Sequence, residues 1–447
     1  MSHLRPEEST RRVSVREIEG RPVLATEWPG LLLLGFTVFM AAWDPFWSLW
    51  YVGPAAAVAV LISGRMPRLR LPDLLAITTS AWAFATLLWT SNEEVTRKAA
   101  YMYAAACCLF VAARHVIAAR PHQRFIGLAF LAGCLATGVR LINENASGRQ
   151  GAALLDLTLR AGIEGITVNF TAYTLVTGAL AAILLIICHG RSLVVKVASL
   201  TAMAMFGFGI LLGGSRGAAI ALTLAIVYLA ISRMAPRASW IGVGVCAMAA
   251  IVVVAAGTTP QSGTAWLDGL FGRPTGDMSG RLLVWPEALH SWQESLLTGI
   301  GAGIFRENSP YNIGAHNLVL NLGNDLGLVG LLLYVGTIAT AMVAAARTGA
   351  TQRRLAGLTV AALLPIWLSG EWQTSQAAWL LLALVSATAW TNPPAAGQHR
   401  RPRTQTWRAA VGGSRTVAGP RFAATAAERK FAGESRPSVP VRSGAGR

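Results

Sequence analysis

The stretch that decides the fold is AHNLVLNLGNDLGLVGLLLY, residues 315–334. It begins with polar side chains and, after Asp325, continues without a charge as far as Ala346. An apolar helix of about 20 residues is long enough to cross the hydrocarbon core of a bilayer. The pattern therefore predicts a membrane-spanning helix over Leu326–Ala346, with His316 and its polar neighbours at one membrane surface.

Apolar runs of this kind recur along most of the chain. Of its 447 residues, 53% are hydrophobic and 13% are charged, whereas a soluble protein carries about 25% charged residues. We therefore expect an all-α, polytopic membrane protein with about twelve transmembrane helices. Their approximate cores are Leu31–Trp43, Leu49–Ile62, Leu74–Trp89, Ala99–Ala113, Phe125–Ile142, Phe170–Cys188, Leu193–Leu212, Ala218–Ile231, Trp240–Gly257, Leu326–Ala346, Leu355–Leu368 and Ala377–Trp390.

The loops between these runs alternate in charge. One set is short and basic, such as GRMPRLR and RTGATQRR, whereas the other set, such as SNEEVTRK and the long loop 258–315, is mixed. Because basic loops stay on the cytoplasmic side, we expect both termini to be cytoplasmic and the long loop to be periplasmic. The chain then divides into a cytoplasmic segment (1–28), a transmembrane domain (29–391) and a disordered basic tail (392–447).

The charge and the cysteines exclude several classes of function. Much of the net charge of +17 lies in the tail, and no folded basic domain accompanies it, so anionic lipid is a better partner than nucleic acid. The five cysteines fall within or at the ends of predicted spans, which argues against disulfides. The predicted outer loops contain no metal-ligand spacing, so we expect neither a metal nor another cofactor.

Two arginines on the predicted outer side are candidates for binding a phosphate. Arg216, in GGSRGAAIAL, lies beside glycines and has no acid near it in the sequence. Arg281 opens a segment in which apolar residues recur at helical spacing, which predicts a helix in the outer headgroup region. A guanidinium binds phosphate through its planar fork of donors. A snorkelling arginine and an interfacial anchor are the structural alternatives. The predicted apolar stripe of this helix is Leu282, Trp285, Leu289, Trp292 and Leu296.

His316 is the candidate catalytic base. Of seven histidines, only His290 and His316 lie outside in the predicted topology, and His290 is expected to be a surface residue. Asn317, Asn321 and Asn324 follow on one helix face, which predicts the lining of a cavity, although Asn317 is also placed to cap the helix. A neutral histidine beside two arginines suits attack by a hydroxyl on a carbon that bears a phosphate leaving group.

Three further features carry weaker predictions. Glu371, in the outer turn SGEWQTSQ, is a candidate to orient His316 or an arginine, and a solvated carboxylate is an equal alternative. Arg140, at an outer helix end, is a candidate for a second phosphate, but pairing with Glu144 is favoured. The glycine-rich run at residues 299–303 lacks the strand that precedes a nucleotide loop, and is predicted to be a tight turn.

Four stretches together resemble the O-antigen ligase and polymerase superfamily, bacterial membrane glycosyltransferases that use undecaprenyl-pyrophosphate-linked glycans. They are GITVNFTAYTLV with Asn169, GGSRGAAIAL, SGRLLVWPEALHSWQESLLTGIGAGIF and AHNLVLNLGNDLGLVGLLLY. The resemblance implies an inner-membrane enzyme whose active site faces the periplasm. It also implies that Arg216 and Arg281 hold the lipid pyrophosphate, and that His316 activates an acceptor hydroxyl, with inversion and without metal.

Three functions remain open. A ligase would transfer the glycan to a lipid A core or another surface molecule, whereas a polymerase would extend the glycan on its own carrier. A transporter without chemistry is the third, but transporters usually contain paired broken helices in two similar halves, which this sequence lacks. We favour a glycosyltransferase of the ligase type. The His-Asn motif is common to ligases and polymerases and does not separate them.

Overall fold

A computed structural model of the chain describes residues 27–44, 49–64, 68–147, 162–163, 166–235, 239–244, 281–310 and 313–391. These residues form thirteen α-helices with assigned bounds, a helical stretch at residues 239–244, one short 3-10 helix and an isolated bridge between Ile163 and Ile166. The predicted all-α class is confirmed for this part of the chain. Most of the N-terminal segment, most of the ninth predicted span, the long loop up to residue 280 and the basic tail lie outside the described residues.

Eleven of the twelve predicted spans coincide with helices. Within the described ranges, seven helices, α3 to α8 and α11, are long and apolar enough to cross a membrane, counting α3 together with the 3-10 helix Thr86–Leu88 that extends it. The count of twelve spans and the cytoplasmic termini remain predictions. The helices are α1 Trp28–Trp43, α2 Leu49–Ile62, α3 Leu71–Ala85, α4 Glu93–Val116, α5 Arg120–Ala146, α6 Val168–His189, α7 Leu193–Gly213, α8 Arg216–Met234, α9 Arg281–Glu294, α10 Ile304–Asn308, α11 Leu318–Thr348, α12 Ala350–Ser369 and α13 Gln376–Thr391.

The central helix of the bundle is α6. In its most apolar 18-residue window 83% of the residues are buried, against 33% for α7 and 28% for α8. It packs against α5, α7, α8, α12 and α13. Small residues allow this close approach, as membrane helices require: a Cβ at Gly178 would collide with Cys134 and Phe206. The start of α6 therefore has a fixed position relative to the helices around it.

The helix α11 is broken near its beginning. Gly327 has φ 66° and ψ −171°, a conformation that is essentially restricted to glycine. The amides of Leu328 and Val329 donate to the carbonyls of Leu296 and Leu297 at 2.9 and 3.3 Å. The chain that follows α9 thus satisfies backbone groups that an unbroken helix would bond internally. These bonds attach the segment after α9 to α11 just beyond the break.

The predicted tight turn after α9 is confirmed. Gly299, Gly301 and Gly303 have φ values of 72°, 120° and 79°, all in the region that favours glycine. The Ile300 amide donates to the Asn324 carbonyl at 2.8 Å, and Trp89 Nε1 donates to the Gly299 carbonyl at 3.0 Å. The turn therefore packs onto α11 and onto the segment between α3 and α4.

The buried face of α9 is shifted by one residue from the predicted stripe. Val284 and Ala288 are fully buried, and the predicted Trp285, Leu289 and Trp292 pack against their cluster, whereas Leu296, after the end of α9, is 51% exposed. The reason is that α9 packs against α11. Small side chains permit the closest contact between helices, and a large indole lies at the edge, where its N–H finds an acceptor.

Candidate functional site

His316 lies in a constrained loop immediately before α11. Its φ is +49°, and among the described residues it alone has a positive φ without being glycine. Such backbone is uncommon for a residue with a Cβ and concentrates at functional sites. Asn317 fixes the following residues, because its Oδ1 accepts hydrogen bonds from the amides of Val319 and Leu320 at 2.9 and 3.3 Å. The predicted cap is therefore confirmed.

Two contacts fix the residues before His316. Asn321 Oδ1 accepts a hydrogen bond from the Ala315 amide at 3.1 Å. Trp285 Nε1 donates to the Ala315 carbonyl at 2.9 Å. The backbone on both sides of His316 is thus bonded to α9 or α11, which accounts for a conformation that an unsupported loop would not keep.

Glu371 faces the imidazole of His316. Its Oε1 lies 3.7 Å from His316 Nδ1, which is within ion-pair range and longer than a hydrogen bond. The side chains are 36% and 24% exposed, so the pair lies at the surface of the packed bundle. Nε2, on the other side of the ring from Glu371, is then the nitrogen that a substrate hydroxyl would approach.

Gly314 makes the approach of Glu371 possible. The carboxylate lies directly over the Gly314 Cα, in the space that a Cβ would occupy. Any other residue at position 314 would displace Glu371 from His316. Sequence reasoning missed Gly314, since its neighbour lies on a different and distant segment.

Arg216 begins α8 and is half-buried. The preceding helix ends at Gly214 in the left-handed conformation, with φ 56°, which produces a sharp turn. Ser215 Oγ donates to Asn169 Oδ1 at 3.0 Å, so two predicted site residues, Asn169 and Arg216, lie at neighbouring helix starts. The positive end of a helix dipole adds to the guanidinium charge there, and this combination favours an anion.

A chain of contacts joins the start of α8 to Glu371. Gly217 packs against the hydroxyls of Tyr173 and Ser369, which lie 3.0 Å from each other. Ser369 is the last residue of α12, and Glu371 follows it by two residues. The starts of α6, α8 and α11 and the end of α12 thus lie at one end of the bundle, which we call the His316 end.

Trp372 fixes the turn that carries Glu371. Its side chain is 1% exposed, and its ring packs edge-on against Phe170 at 5.9 Å and Tyr173 at 5.6 Å. Both partners lie on the central helix α6. Aromatic pairs with this geometry stabilise by about 0.5–1.5 kcal/mol each beyond their burial, so Glu371 extends from a rigid support.

The asparagine stripe has a different environment from the predicted cavity lining. Asn317, Asn321 and Asn324 are 0%, 5% and 0% exposed. Asn324 Nδ2 donates to the carbonyls of Ala288 and Leu320 at 2.8 Å each, which ties α9 to α11. In the described part of the chain the amide nitrogens of Asn317 and Asn321 have no acceptor. The stripe therefore supports the His316 loop and keeps two donors beside it.

The remaining candidates fall into two groups. Arg140 Nε donates to Glu144 at 2.7 Å and lies 3.8 Å from Asp44, so the favoured pairing is confirmed. His290 is exposed and lies 3.6 Å from Glu294, as expected of a surface residue. Arg281 opens α9, but its side chain is outside the described parts, so its convergence with Arg216 and His316 stays a prediction. Within the described ranges, no three His, Cys, Asp or Glu side chains are grouped to hold a metal ion.

The fold and the site define a multi-pass helical membrane protein with a polar site at one end of its bundle. Residues 200–335 match a family model described as O-Antigen ligase. The match runs from α7 through the first half of α11 and includes Arg216, Arg281 and His316, so the resemblance to the O-antigen ligase and polymerase superfamily is confirmed. No curated protein sequence matches the chain.

Proposed function

We propose that the protein is a glycosyltransferase of the O-antigen ligase type. It transfers a glycan from an undecaprenyl-pyrophosphate carrier to a hydroxyl of a lipid A core or another surface molecule. The site faces the periplasm from the inner membrane, and the reaction inverts the anomeric carbon without a metal. The family match over residues 200–335 supports the reaction class.

The observation that carries the proposal is the pairing of His316 with Glu371. A base oriented by a carboxylate is the arrangement that activates hydroxyl nucleophiles. The positive φ of His316 and the cap at Asn317 fix the backbone that carries the ring before any substrate binds. The ring is partly exposed, so an acceptor is able to reach it.

The proposed reaction is one displacement. The acceptor oxygen attacks the anomeric carbon of the donor glycan while its proton passes to His316 Nε2. The bond between the anomeric carbon and the phosphate oxygen breaks, and undecaprenyl pyrophosphate leaves with its electron pair. Glu371 stabilises the imidazolium that forms. Attack opposite the leaving group inverts the configuration of the carbon.

Arg216 and Arg281 are proposed to bind the pyrophosphate. Arg216 offers its guanidinium at the positive end of α8. Asn169 and Ser215 support its position through their mutual hydrogen bond. A guanidinium that meets developing negative charge contributes about 10²–10³ in rate, and its bidentate donors match phosphate oxygens.

A polymerase of the same superfamily is the alternative that the family match equally supports. Both reactions require the same base and the same leaving group. They differ in the acceptor, which is the growing glycan on a second carrier lipid for a polymerase. The product of the reaction therefore distinguishes them.

The test uses purified protein in detergent with a short undecaprenyl-pyrophosphate glycan and a candidate acceptor, in the presence of EDTA. Transfer to the acceptor should fall about 10²–10⁴-fold in His316→Ala and about 10²–10³-fold in Arg216→Ala. The matched controls are His290→Ala and Arg97→Ala, which remove an exposed histidine and an exposed arginine paired with Glu93. Both controls should retain the wild-type rate.

The outcomes of this test distinguish a ligase, a polymerase and a protein without transferase activity. Glycan on the acceptor supports a ligase, and a longer glycan on the carrier lipid without acceptor supports a polymerase. Loss of transfer with EDTA that magnesium restores would exclude the metal-independent reaction. Unchanged surface glycan in cells that carry His316→Ala would overturn the enzymatic proposal.

A further inference from the structure

A cleft lies at the end of the bundle opposite to His316. It has a volume of about 70 Å³ and is lined by Tyr228, Trp240, Ala350, Arg353 and Arg354. Since α8 and α12 contain 19 and 20 residues and rise about 1.5 Å per residue, the cleft is separated from the His316 end by almost the length of a membrane-spanning helix. It is therefore a second site.

The charges around the cleft are of one sign. Arg353 and Arg354 lie in the first turns of α12, where the helix dipole adds positive charge. Neither α8, α12 nor residues 239–244, which together supply its lining, contains an aspartate or a glutamate. Arg233, in the last turn of α8, adds to the same field. An anion would thus meet several positive groups and no acid from these elements.

Aromatic side chains complete the lining. Tyr228 is 4% exposed, and its hydroxyl lies against Gly357 of α12. Trp240 is half-buried. Tryptophan and tyrosine prefer the boundary between lipid tails and headgroups, which is where the ends of spanning helices lie. The cleft therefore opens at headgroup depth.

Exposed apolar side chains lie next to the lining residues in the sequence. Ile231 follows Tyr228 by about one turn of α8 and is 42% exposed, and Ile241 next to Trp240 is 67% exposed. In a membrane such side chains face acyl chains. A molecule that binds the two arginines and extends into the membrane would therefore contact this apolar wall.

We propose that this cleft binds an anionic membrane lipid, with its headgroup phosphate on Arg353 and Arg354 and its acyl chains along α8. Arginine pairs with phosphate oxygens through two parallel hydrogen bonds. Basic pockets between membrane helices are suited to such headgroups. A soluble phosphate would engage only the charged end of the cleft, and the apolar wall favours the lipid. The proposal does not depend on the reaction at the His316 end.

The experiment measures thermal unfolding of the whole protein in neutral detergent. The added probes are phosphatidylglycerol, phosphatidylcholine and inorganic phosphate. Phosphatidylglycerol should raise Tm by about 2–4 °C, as a ligand that binds only the folded state does. Phosphatidylcholine, whose headgroup has no net charge, and inorganic phosphate should produce a smaller shift. Native mass spectrometry should show one phosphatidylglycerol retained at an activation energy that strips the others.

Substitutions of Arg353 and Arg354 test whether these two residues bind the lipid. Arg353→Gln with Arg354→Gln should remove at least half of the Tm shift and the retained lipid. The matched control, Arg191→Gln with Lys196→Gln, removes two exposed positive charges near the connection of α6 to α7 and should keep both. Arg353→Lys with Arg354→Lys preserves the charge, and should give an intermediate shift even if the glutamine variant fails to fold.

Two results would overturn the proposal. Equal shifts in the wild type and in the double glutamine variant would show that the arginines do not bind the lipid. An unchanged shift in the double lysine variant would show that the paired hydrogen bonds of arginine are not used. A shift produced equally by inorganic phosphate would show that the cleft binds a free anion and not a lipid.

Discussion

The carboxylate of Glu371 reaches the His316 ring across the Cα of Gly314, and this one position decides whether the pair forms. Gly314→Ala places a methyl group where the carboxylate lies. We expect glycan transfer to fall about as far as in a variant that lacks the carboxylate, roughly 10–100-fold, because Glu371 is displaced. Steady-state kinetics and Tm should be measured together.

Gly207→Ala on α7 is the matched control. Nothing lies within 4 Å of a Cβ at that position, so both the rate and Tm should be unchanged. Retention of full transfer by Gly314→Ala would show that the Glu371 position is not needed.

Glu371→Gln tests the positioning role of the charge directly. It keeps the shape of the side chain and loses the negative charge that stabilises imidazolium. We expect kcat to fall about 10–100-fold while KM for the donor stays constant. In the His316→Ala background the same substitution should have almost no further effect, since residues that act as a unit are not additive. Equal losses in both backgrounds would contradict this role.

At the scale of a single helix, the break in α11 at Gly327 is the feature that a substitution tests. Gly327→Ala should lower stability by about 1–3 kcal/mol, because alanine strains a φ of 66°. Its Cβ would also overlap the Leu297 carbonyl. The measurement is the midpoint of thermal unfolding in detergent.

Gly336→Ala provides the control on the same helix. Its Cβ would lie 3.5 Å from Leu75 Cδ1, an ordinary contact, and alanine is the better helix former. It should leave Tm unchanged or slightly higher. If Gly327→Ala and Gly336→Ala lowered Tm equally, the backbone conformation at Gly327 would not be the cause of the loss of stability.

The helices could be predicted from the sequence because hydropathy is a local property. Which helices contact each other could not be predicted, because those contacts join segments that are distant in the sequence. Gly327 and Gly330 both lie between apolar residues in the sequence, yet α11 breaks at Gly327. What decides the position is the pair of carbonyls at Leu296 and Leu297, which no local pattern shows. For Glu371 the sequence left three alternatives, namely contact with His316, contact with an arginine and a solvated carboxylate. The packing of α11 and α12 decides for His316.

At the scale of the whole molecule, the alternation of basic and mixed loops predicts which helix ends lie on the same side of the membrane. Single cysteines at Arg191 and Arg353, in a background where the native cysteines are serine, should react with an impermeant maleimide only after the membrane is permeabilised. Cysteines at Glu94 and Glu307 should react in cells with a permeabilised outer membrane alone. The readout is the labelled fraction on a gel. Labelling of Arg353→Cys and Glu307→Cys under the same condition would contradict the predicted sidedness.

The bonds of Asn324 have a mechanical consequence. Because Asn324 lies before the break and donates to the Ala288 carbonyl of α9, a tilt of the first turns of α11 would carry α9 with it. Arg281 begins α9 and His316 precedes α11, so the two residues would move together. Arg216 lies at the start of α8, outside this pair of helices. A tilt would therefore change the spacing between His316 and Arg216, while the spacing between His316 and α9 would stay constant.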